Sequence, residues 1–311
     1  MCLPWAGMSC PVGADVRNLK QLASTAFLRV KSSMRIESLL SEITLDLLSA
    51  GISNARQEAC WLVSQLLGDD PIRVPCCGGA EFPSALEVTL RKRVSRRKSG
   101  EPLQYIMGEV EFHCVNLLIG PGVLIPRPET EQLVELALSR LALDGPIVDL
   151  CTGSGAIALA LSASRPARTI FGTDISEDAL SWAFRNRDRL KASNVTFLQG
   201  DLFQPLPADL HFALVTANPP YVSQDEYNKL DPTVKDHEPI TALLAKDNGL
   251  QIIRDIARQA KPRLLPDGWL VMEIGETQGE KVRQILLDEN YTLIDIKKDY
   301  SGRDRFALAK R

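Results

Sequence analysis

Apolar residues begin to recur at helical spacing directly after Met34. Ile36, Leu39, Leu40, Ile43 and Leu47 fall at i, i+3, i+4, i+7 and i+11, and Gly51 supplies a stop. A second helix is predicted after Ser53 or Asn54, either of which can cap it, with Ala59, Leu62, Val63, Leu66 and Leu67 inward and Gly68 closing it. A third runs from about Ser84 to Ser99, with Leu86, Leu90 and Val94 in register. Together they predict a small helical bundle within 34–107. From Gly108 to Pro128 the pattern changes to short β-like pieces, 109–116 and 117–124, around the turn-prone Gly120-Pro121-Gly122. That segment reads as a β-hairpin linker over 108–128.

From 146 onward short apolar strands alternate with helices. Strands are predicted at 147–150, 169–173, 195–198, 212–217 and 269–274, with further β-prone segments at 291–297 and 305–309. Helices intervene near 155–164, 177–190, 249–265 and 277–289. Repeated βα units imply an α/β domain over 129–311, a parallel, doubly wound, Rossmann-like sheet with helices on both faces. Ligands of such sheets bind beyond the carboxyl ends of the strands.

Composition narrows the class. The 311 residues are 45% hydrophobic and 24% charged, which excludes collagen, low-complexity disorder and coiled coil. A net charge of -3 gives no overall pull toward nucleic acid or membrane, and no apolar run approaches the ~18 residues of a span. The seven cysteines form no CxxC pair and the three histidines lie far apart, so neither a disulfide scaffold nor a metal site is expected. Reduced thiols fit a cytoplasmic protein, and a monomer is the simplest expectation. Residues 1–33 mix Pro, Gly, Ser and Cys with Arg17, Lys20, Arg29 and Lys31 against the single acid Asp15. They read as a disordered or non-native extension upstream of a start at Met34, in preference to a targeting leader.

One local charge cluster stands out. Arg91, Lys92, Arg93, Arg96, Arg97 and Lys98 all fall on the third helix, two-thirds of the basic residues between 34 and 107. A solvated face near a helix C-terminus accounts for them, since cations are favoured there. Contact with an acidic partner or, indirectly, a nucleic acid is the alternative.

The candidate chemistry lies at the strand ends. The first strand of the α/β region runs through Asp149 into Cys151-Thr152-Gly153-Ser154-Gly155 and then a helix, a turn that brings backbone close to a ligand below a helix N-terminus. The second ends at Asp174, nineteen residues after Gly155, where an acid reaches ribose hydroxyls. The third is followed by Gly200-Asp201-Leu202, with Asp201 able to accept from an adenine amino group. Three acids in phase on one sheet edge favour a nucleoside ligand.

After the fourth strand comes Asn218-Pro219-Pro220-Tyr221. Consecutive prolines forbid strand and helix, so the chain leaves the sheet extended and presents Asn218 at the cleft, with Tyr221 able to lie across it. This suits methylation of a planar NH2 group. Its lone pair is delocalised; the roughly 18–20 kcal/mol rotation barrier of an amide measures that resonance. The Asn218 side-chain oxygen and the Pro219 carbonyl can each accept one NH2 hydrogen, while Tyr221 stacks on the plane. Alignment in a preorganised polar site supplies about 7–11 kcal/mol without a strong base.

These residues resemble the class I S-adenosylmethionine-dependent methyltransferases that act on amino groups. The whole of 34–311 resembles the HemK-type release-factor glutamine methyltransferases, whose marks appear as Glu101-Pro102-Leu103-Gln104-Tyr105-Ile106, Glu111-Phe112, Ile125-Pro126-Arg127-Pro128-Glu129-Thr130-Glu131, and Glu238-Pro239 followed by Ala242-Leu243. The resemblance implies S-adenosylmethionine as cofactor, with S-adenosylhomocysteine as product. It implies cofactor contacts at Asp149, Cys151 to Gly155, Asp174, Asp201, Leu202 and Asn218, and a substrate held by Asn218 to Tyr221 with Arg127 nearby. The implied substrate is the glutamine of the Gly-Gly-Gln motif in class I peptide chain release factors, gripped in part by the helical N-terminal domain. Cys151 stands where the family more often has Gly, and Leu202 where some members have an aromatic. Two other amino methylations share Asn-Pro-Pro-Tyr: that of a ribosomal-protein glutamine, and that of adenine or cytosine in nucleic acid. A non-catalytic cofactor-binding scaffold is the remaining reading.

Overall fold

The computed structural model describes residues 34–311, so the extension expected over 1–33 lies outside the described residues. Helix α1 (Ile36–Ser49) buries its whole apolar stripe, Ile36, Leu39, Leu40, Ile43 and Leu47. Helix α2 (Ala55–Leu67) ends at Gly68 in the left-handed conformation. Asn54 occupies its N-cap position, yet its side chain makes no capping bond. Helix α3 (Ser84–Lys98) contributes Leu90 and Val94 to the shared core. A short helix α4 (Leu103–Met107), absent from the sequence reading, closes the segment with Leu103 and Ile106 buried.

Strands β1 (Glu109–Phe112) and β2 (Val115–Leu118) form the linker hairpin, but its turn is at His113-Cys114 and not at 120–122. Turning there puts Phe112, Val115 and Leu117 together on the buried face. The Gly-Pro-Gly segment instead lies along a later helix, where Trp182 Nε1 donates to the Pro121 carbonyl at 3.2 Å. The Pro-Arg-Pro-Glu-Thr-Glu run then starts helix α5 (Pro128–Arg140), a second unpredicted element. Proline at its first position and Glu129 and Glu131 in its first turn are strong helix-start signals.

The α/β region follows the predicted alternation: β3 (Ile147–Leu150), α6 (Ala156–Ser164), β4 (Ile170–Asp174), α7 (Glu177–Leu190), β5 (Val195–Gln199) and β6 (Phe212–Ala217). Two one-turn helices, α8 (Gln224–Tyr227) and α9 (Pro232–Lys235), precede α10 (Gln251–Arg263), β7 (Leu264–Glu273), α11 (Gly279–Asp288), β8 (Thr292–Lys298) and β9 (Asp304–Lys310). The seven-stranded sheet has the order β5-β4-β3-β6-β7-β9-β8. It is mixed where a parallel sheet was predicted, because β9 enters antiparallel between β7 and β8. The 299–303 connection is too short for a parallel crossover, which needs a dozen residues or more.

Apolar cores fill both faces, with α10 and α11 on one side and α5, α6 and α7 on the other. Strand order reverses between β3 and β6, whose registered ends Leu150 and Ala217 set Cys151 and Asn218 side by side. On the other flank, Leu150 pairs with Thr173 and brings in Asp174. A crevice at such a switch point is where this sheet type binds ligands. Among the described residues no helix is long and apolar enough to cross a membrane.

Candidate active site

A cavity of about 470 Å³ opens over the switch point, a size suited to a small-molecule ligand. Its floor is the turn after β3. Cys151, Gly153 and Gly155 all have positive φ there, at 54°, 57° and 81°. Gly155 is required twice over: its φ is left-handed, and a Cβ would sit 2.7 Å from the Phe197 ring. The turn is pinned from below by Asp149, which is fully buried and accepts from Thr152 Oγ1 at 2.6 Å and Thr216 Oγ1 at 2.8 Å. Burial pushes its carboxyl up to about 7 against the pull of those hydrogen bonds. Asp149 therefore lies under the loop and not on the cavity wall, contrary to the expectation of a cofactor contact.

Asp174 is on the wall. Its carboxylate accepts the backbone N–H of Gly153 at 2.8 Å and of Ser176 at 2.9 Å, and burial raises its pKa despite them. Cys151, Thr152, Gly153, Ser154, Asp201, Leu202 and Asn218 line the same space. Leu202 is buried, with φ at 47°. Lining residues to which the sequence assigns no contact include Ile175, Lys246 and Thr130, the last present only within the 125–131 landmark. Ile175 follows the ribose-type acid directly and is 60% exposed, an aliphatic face a planar base could cover. Backbone amides at a helix start, an acid one strand over and apolar walls between them make a donor set that fits a nucleoside.

The corner after β6 is only partly as expected. Asn218 and Pro220 face the cavity, whereas Pro219, Tyr221 and Arg127 stand off its wall. Tyr221 is half-buried, and its hydroxyl donates to Glu273 Oε1 at 3.0 Å and accepts from Arg305 Nη1 at 3.4 Å. Burial and the Glu273 charge push its pKa up. Arg127 is engaged by Glu238, with Nη2 to Oε1 at 2.6 Å, while the Ile125 N–H binds the other carboxylate oxygen at 3.1 Å. The two landmark segments, 125–131 and 238–243, are thereby tied to each other, and both contribute residues to the cavity lining.

The chain beyond Tyr221 is held by backbone. Val222 donates to the Leu243 carbonyl at 2.9 Å, and Ala245 donates to Val222 at 3.0 Å, which draws 242–246 over the cavity. The buried Gln278 amide donates to the carbonyls of Tyr221 and Asn248 at 2.9 and 3.2 Å. Gly249 passes so close that a Cβ would lie 2.0 Å from the Tyr221 carbonyl oxygen.

Strand order and a nucleoside-shaped crevice at the switch point define a class I, Rossmann-like methyltransferase domain. In agreement, residues 144–265 match the family model "Methyltransferase domain", and residues 38–108 match "PrmC N-terminal domain". The catalytic domain of hMettl16 in complex with a MAT2A 3'UTR hairpin shares the fold at a TM-score of 0.52 and 17% identity, over 74% of this chain and 82% of that one. Among curated relatives, the release factor glutamine methyltransferase of Thermodesulfovibrio yellowstonii is 41% identical over 82% of this chain and 92% of its own length. That of Vibrio cholerae is 39% identical over 89% and 97%, and that of Escherichia coli 41% over 82% and 92%. The chain belongs to the release factor glutamine methyltransferase family.

Proposed function

We propose that this protein methylates the side-chain amide nitrogen of the glutamine in the Gly-Gly-Gln motif of class I peptide chain release factors, with S-adenosylmethionine as donor and S-adenosylhomocysteine as the second product. Family membership supports the release-factor glutamine as substrate. The observation that carries the chemistry is Asn218: it sits at the end of β6 beside the glycine turn, on the wall of the same cavity as Asp174.

When bound, the cofactor supplies an electrophilic methyl group on sulfur. Asp174 would take the ribose hydroxyls, the 151–155 turn the amino-acid portion, and Ile175, Asp201 and Leu202 the base. Asn218 Oδ1 would accept one hydrogen of the glutamine NH2, and the Pro219 carbonyl, set back from the wall beside it, would accept the other only where the glutamine reaches past the cavity lining. Holding both hydrogens would let the nitrogen pyramidalise and present its lone pair to the methyl donor. Methyl transfer to that nitrogen would leave S-adenosylhomocysteine as the second product and release one amide proton to solvent. Tyr221, anchored by Glu273, would brace the segment that carries Asn218. Helices α1 to α4, residues 34–107, would grip the release factor away from the reacting glutamine, with 108–128 as the connection to a methyl-transfer domain at 129–311.

The nucleic-acid alternative loses its electrostatic footing on α3, where Arg91 pairs with Glu42, Arg96 with Glu101, Arg97 with Glu58 and Lys98 with Asp46. The test is mass spectrometry of purified release factor after incubation with the protein and S-adenosylmethionine, beside an Asn218→Ala control. One added methyl on the Gly-Gly-Gln glutamine, absent with the variant, is expected. Label appearing in ribosomal protein or RNA with none on the release factor would overturn the reading.

A further inference from the structure

Glu273 ends β7 with its side chain buried at 1% exposure, and nothing in the chemistry above uses it directly. Its Oε2 accepts from Thr130 Oγ1 at 2.7 Å, and its Oε1 from the Tyr221 hydroxyl at 3.0 Å. Thr130, on the first turn of α5, in turn receives Asn218 Nδ2–H at 3.2 Å. Arg305 of β9 supplies the nearby positive charge, and Glu129 of α5 a second negative one.

This chain of bonds has a direction. Burial raises the Glu273 pKa, while the Thr130 and Tyr221 hydrogen bonds and Arg305 favour its carboxylate form; with that carboxylate as acceptor, the single hydroxyl proton of Thr130 points at Glu273. Thr130 can then only accept from Asn218, and the end of the Asn218 amide that faces it must be the nitrogen. The oxygen end is left for the cavity. Were Thr130 free to turn its proton the other way, the amide could rotate and present its NH2 to the substrate NH2, donor against donor.

Resting on the function proposed above, we infer that Glu273 and Thr130 are positioning residues that fix the rotamer of the Asn218 amide, so that its Oδ1 and not its Nδ2 faces the substrate nitrogen. Tyr221 binds the same carboxylate, so one buried group sets both ends of the Asn218–Tyr221 segment.

The experiment is a double-mutant cycle on the intact chain with release factor as substrate. Thr130→Val and Glu273→Gln should each lower kcat on the order of 10²-fold, the scale of a small misplacement, with cofactor affinity by calorimetry changed less than about twofold. Thr130→Ser, which keeps the hydroxyl, should recover most of the loss. In an Asn218→Ala background neither change should lower the rate further, because the residue they act through is gone. Losses that multiply in that background, or a Thr130→Val variant with the wild-type kcat, would overturn the inference while leaving the function intact. Thermal unfolding checks that the variants fold, and if one does not, the other completes the cycle. A wild-type protein that leaves the release factor unmethylated would overturn both.

Discussion

Helix α3 and the corner after β6 both gather polar side chains, and the two differ in what those side chains face. On α3, Arg91, Arg96, Arg97 and Lys98 reach carboxylates from α1, α2 and the loop before α4, and Arg93 donates to Gln65 Oε1 at 2.8 Å. Of the six cations, only Lys92 has no such partner among the described residues. Four of the six cations are thus paired with carboxylates of the bundle itself, three of those pairs at its surface and Arg97–Glu58 mostly buried. At the corner, Asn218 is held by its nitrogen end alone and turns toward a cavity. A dense charge cluster is scaffold when its partners lie within reach; a reactive group is one fixed on one side and open on the other.

The largest effect should fall where the open side matters. Asn218→Ala is expected to cost about 10²–10³ in kcat, as for loss of one preorganised polar contact, with unchanged fold and a smaller change in cofactor affinity. Single-turnover kinetics read it directly, and a near wild-type rate would erase the distinction between the two regions.

Asp149 sits beside the corner yet, like Arg97 and Glu58 and unlike the surface pairs of α3, is closed off from solvent. With its carboxyl pushed up to about 7 by burial, the folded state keeps a proton that the unfolded chain releases near pH 4. The folded state binds more protons between those values, so the contribution of Asp149 to stability falls as pH rises from about 4 to 7, on the order of a few kcal/mol. Asp149→Asn should flatten that slope in urea unfolding followed at pH 5 and pH 8. An unaltered slope would mean that Thr152 and Thr216 keep the carboxylate ionised.

Legibility followed the same division between local and nonlocal. The β3 to β7 strands, α6, α7, and the residues of the 151–155 turn lie in uninterrupted sequence, so period and spacing find them. Thr130 and Glu273 are 143 positions apart and meet only through the fold. The Arg127–Glu238 pair, 111 positions apart, is hidden in the same way. Helix α5 is legible in Pro128 at its start and in Leu133, Val134 and Ala137 at helical spacing; the same Pro-Arg-Pro-Glu-Thr-Glu run is also a family mark, and that reading masks the helix start. The orientation of Tyr221 had no sequence signal, because its anchors arrive from β7 and β9.

A smaller effect tests the scaffold side. Arg97 and Glu58 form a mostly buried pair, Nε to Oε2 at 2.7 Å, with side chains 14% and 11% exposed. Arg97→Ala leaves a carboxylate without its partner and should lower stability by about 1–3 kcal/mol, read as a urea midpoint. Its KM for release factor should not move. Lys92→Ala should leave stability alone, and a raised KM in that variant would show that the exposed edge of α3 meets the partner.

The smallest expected change is at Cys151, and its sign is the informative part. At φ 54° a residue with a Cβ is held in a left-handed conformation that costs roughly 1–2 kcal/mol, one that glycine adopts without that cost. Cys151→Gly relieves that cost but frees the unfolded chain by up to about 1 kcal/mol and removes a side chain packed against the core of the α10 face. The net should be a gain of about 0.5 kcal/mol or less, a rise in Tm near 1–2 °C by calorimetry. Burial and the neighbouring Asp174, Asp149 and Asp201 charges keep the thiol protonated, so the exchange should cost no thiol reactivity. A clear fall in Tm would mean that the sulfur's packing outweighs the backbone strain, and that this turn is set by contacts with the core as much as by its glycines.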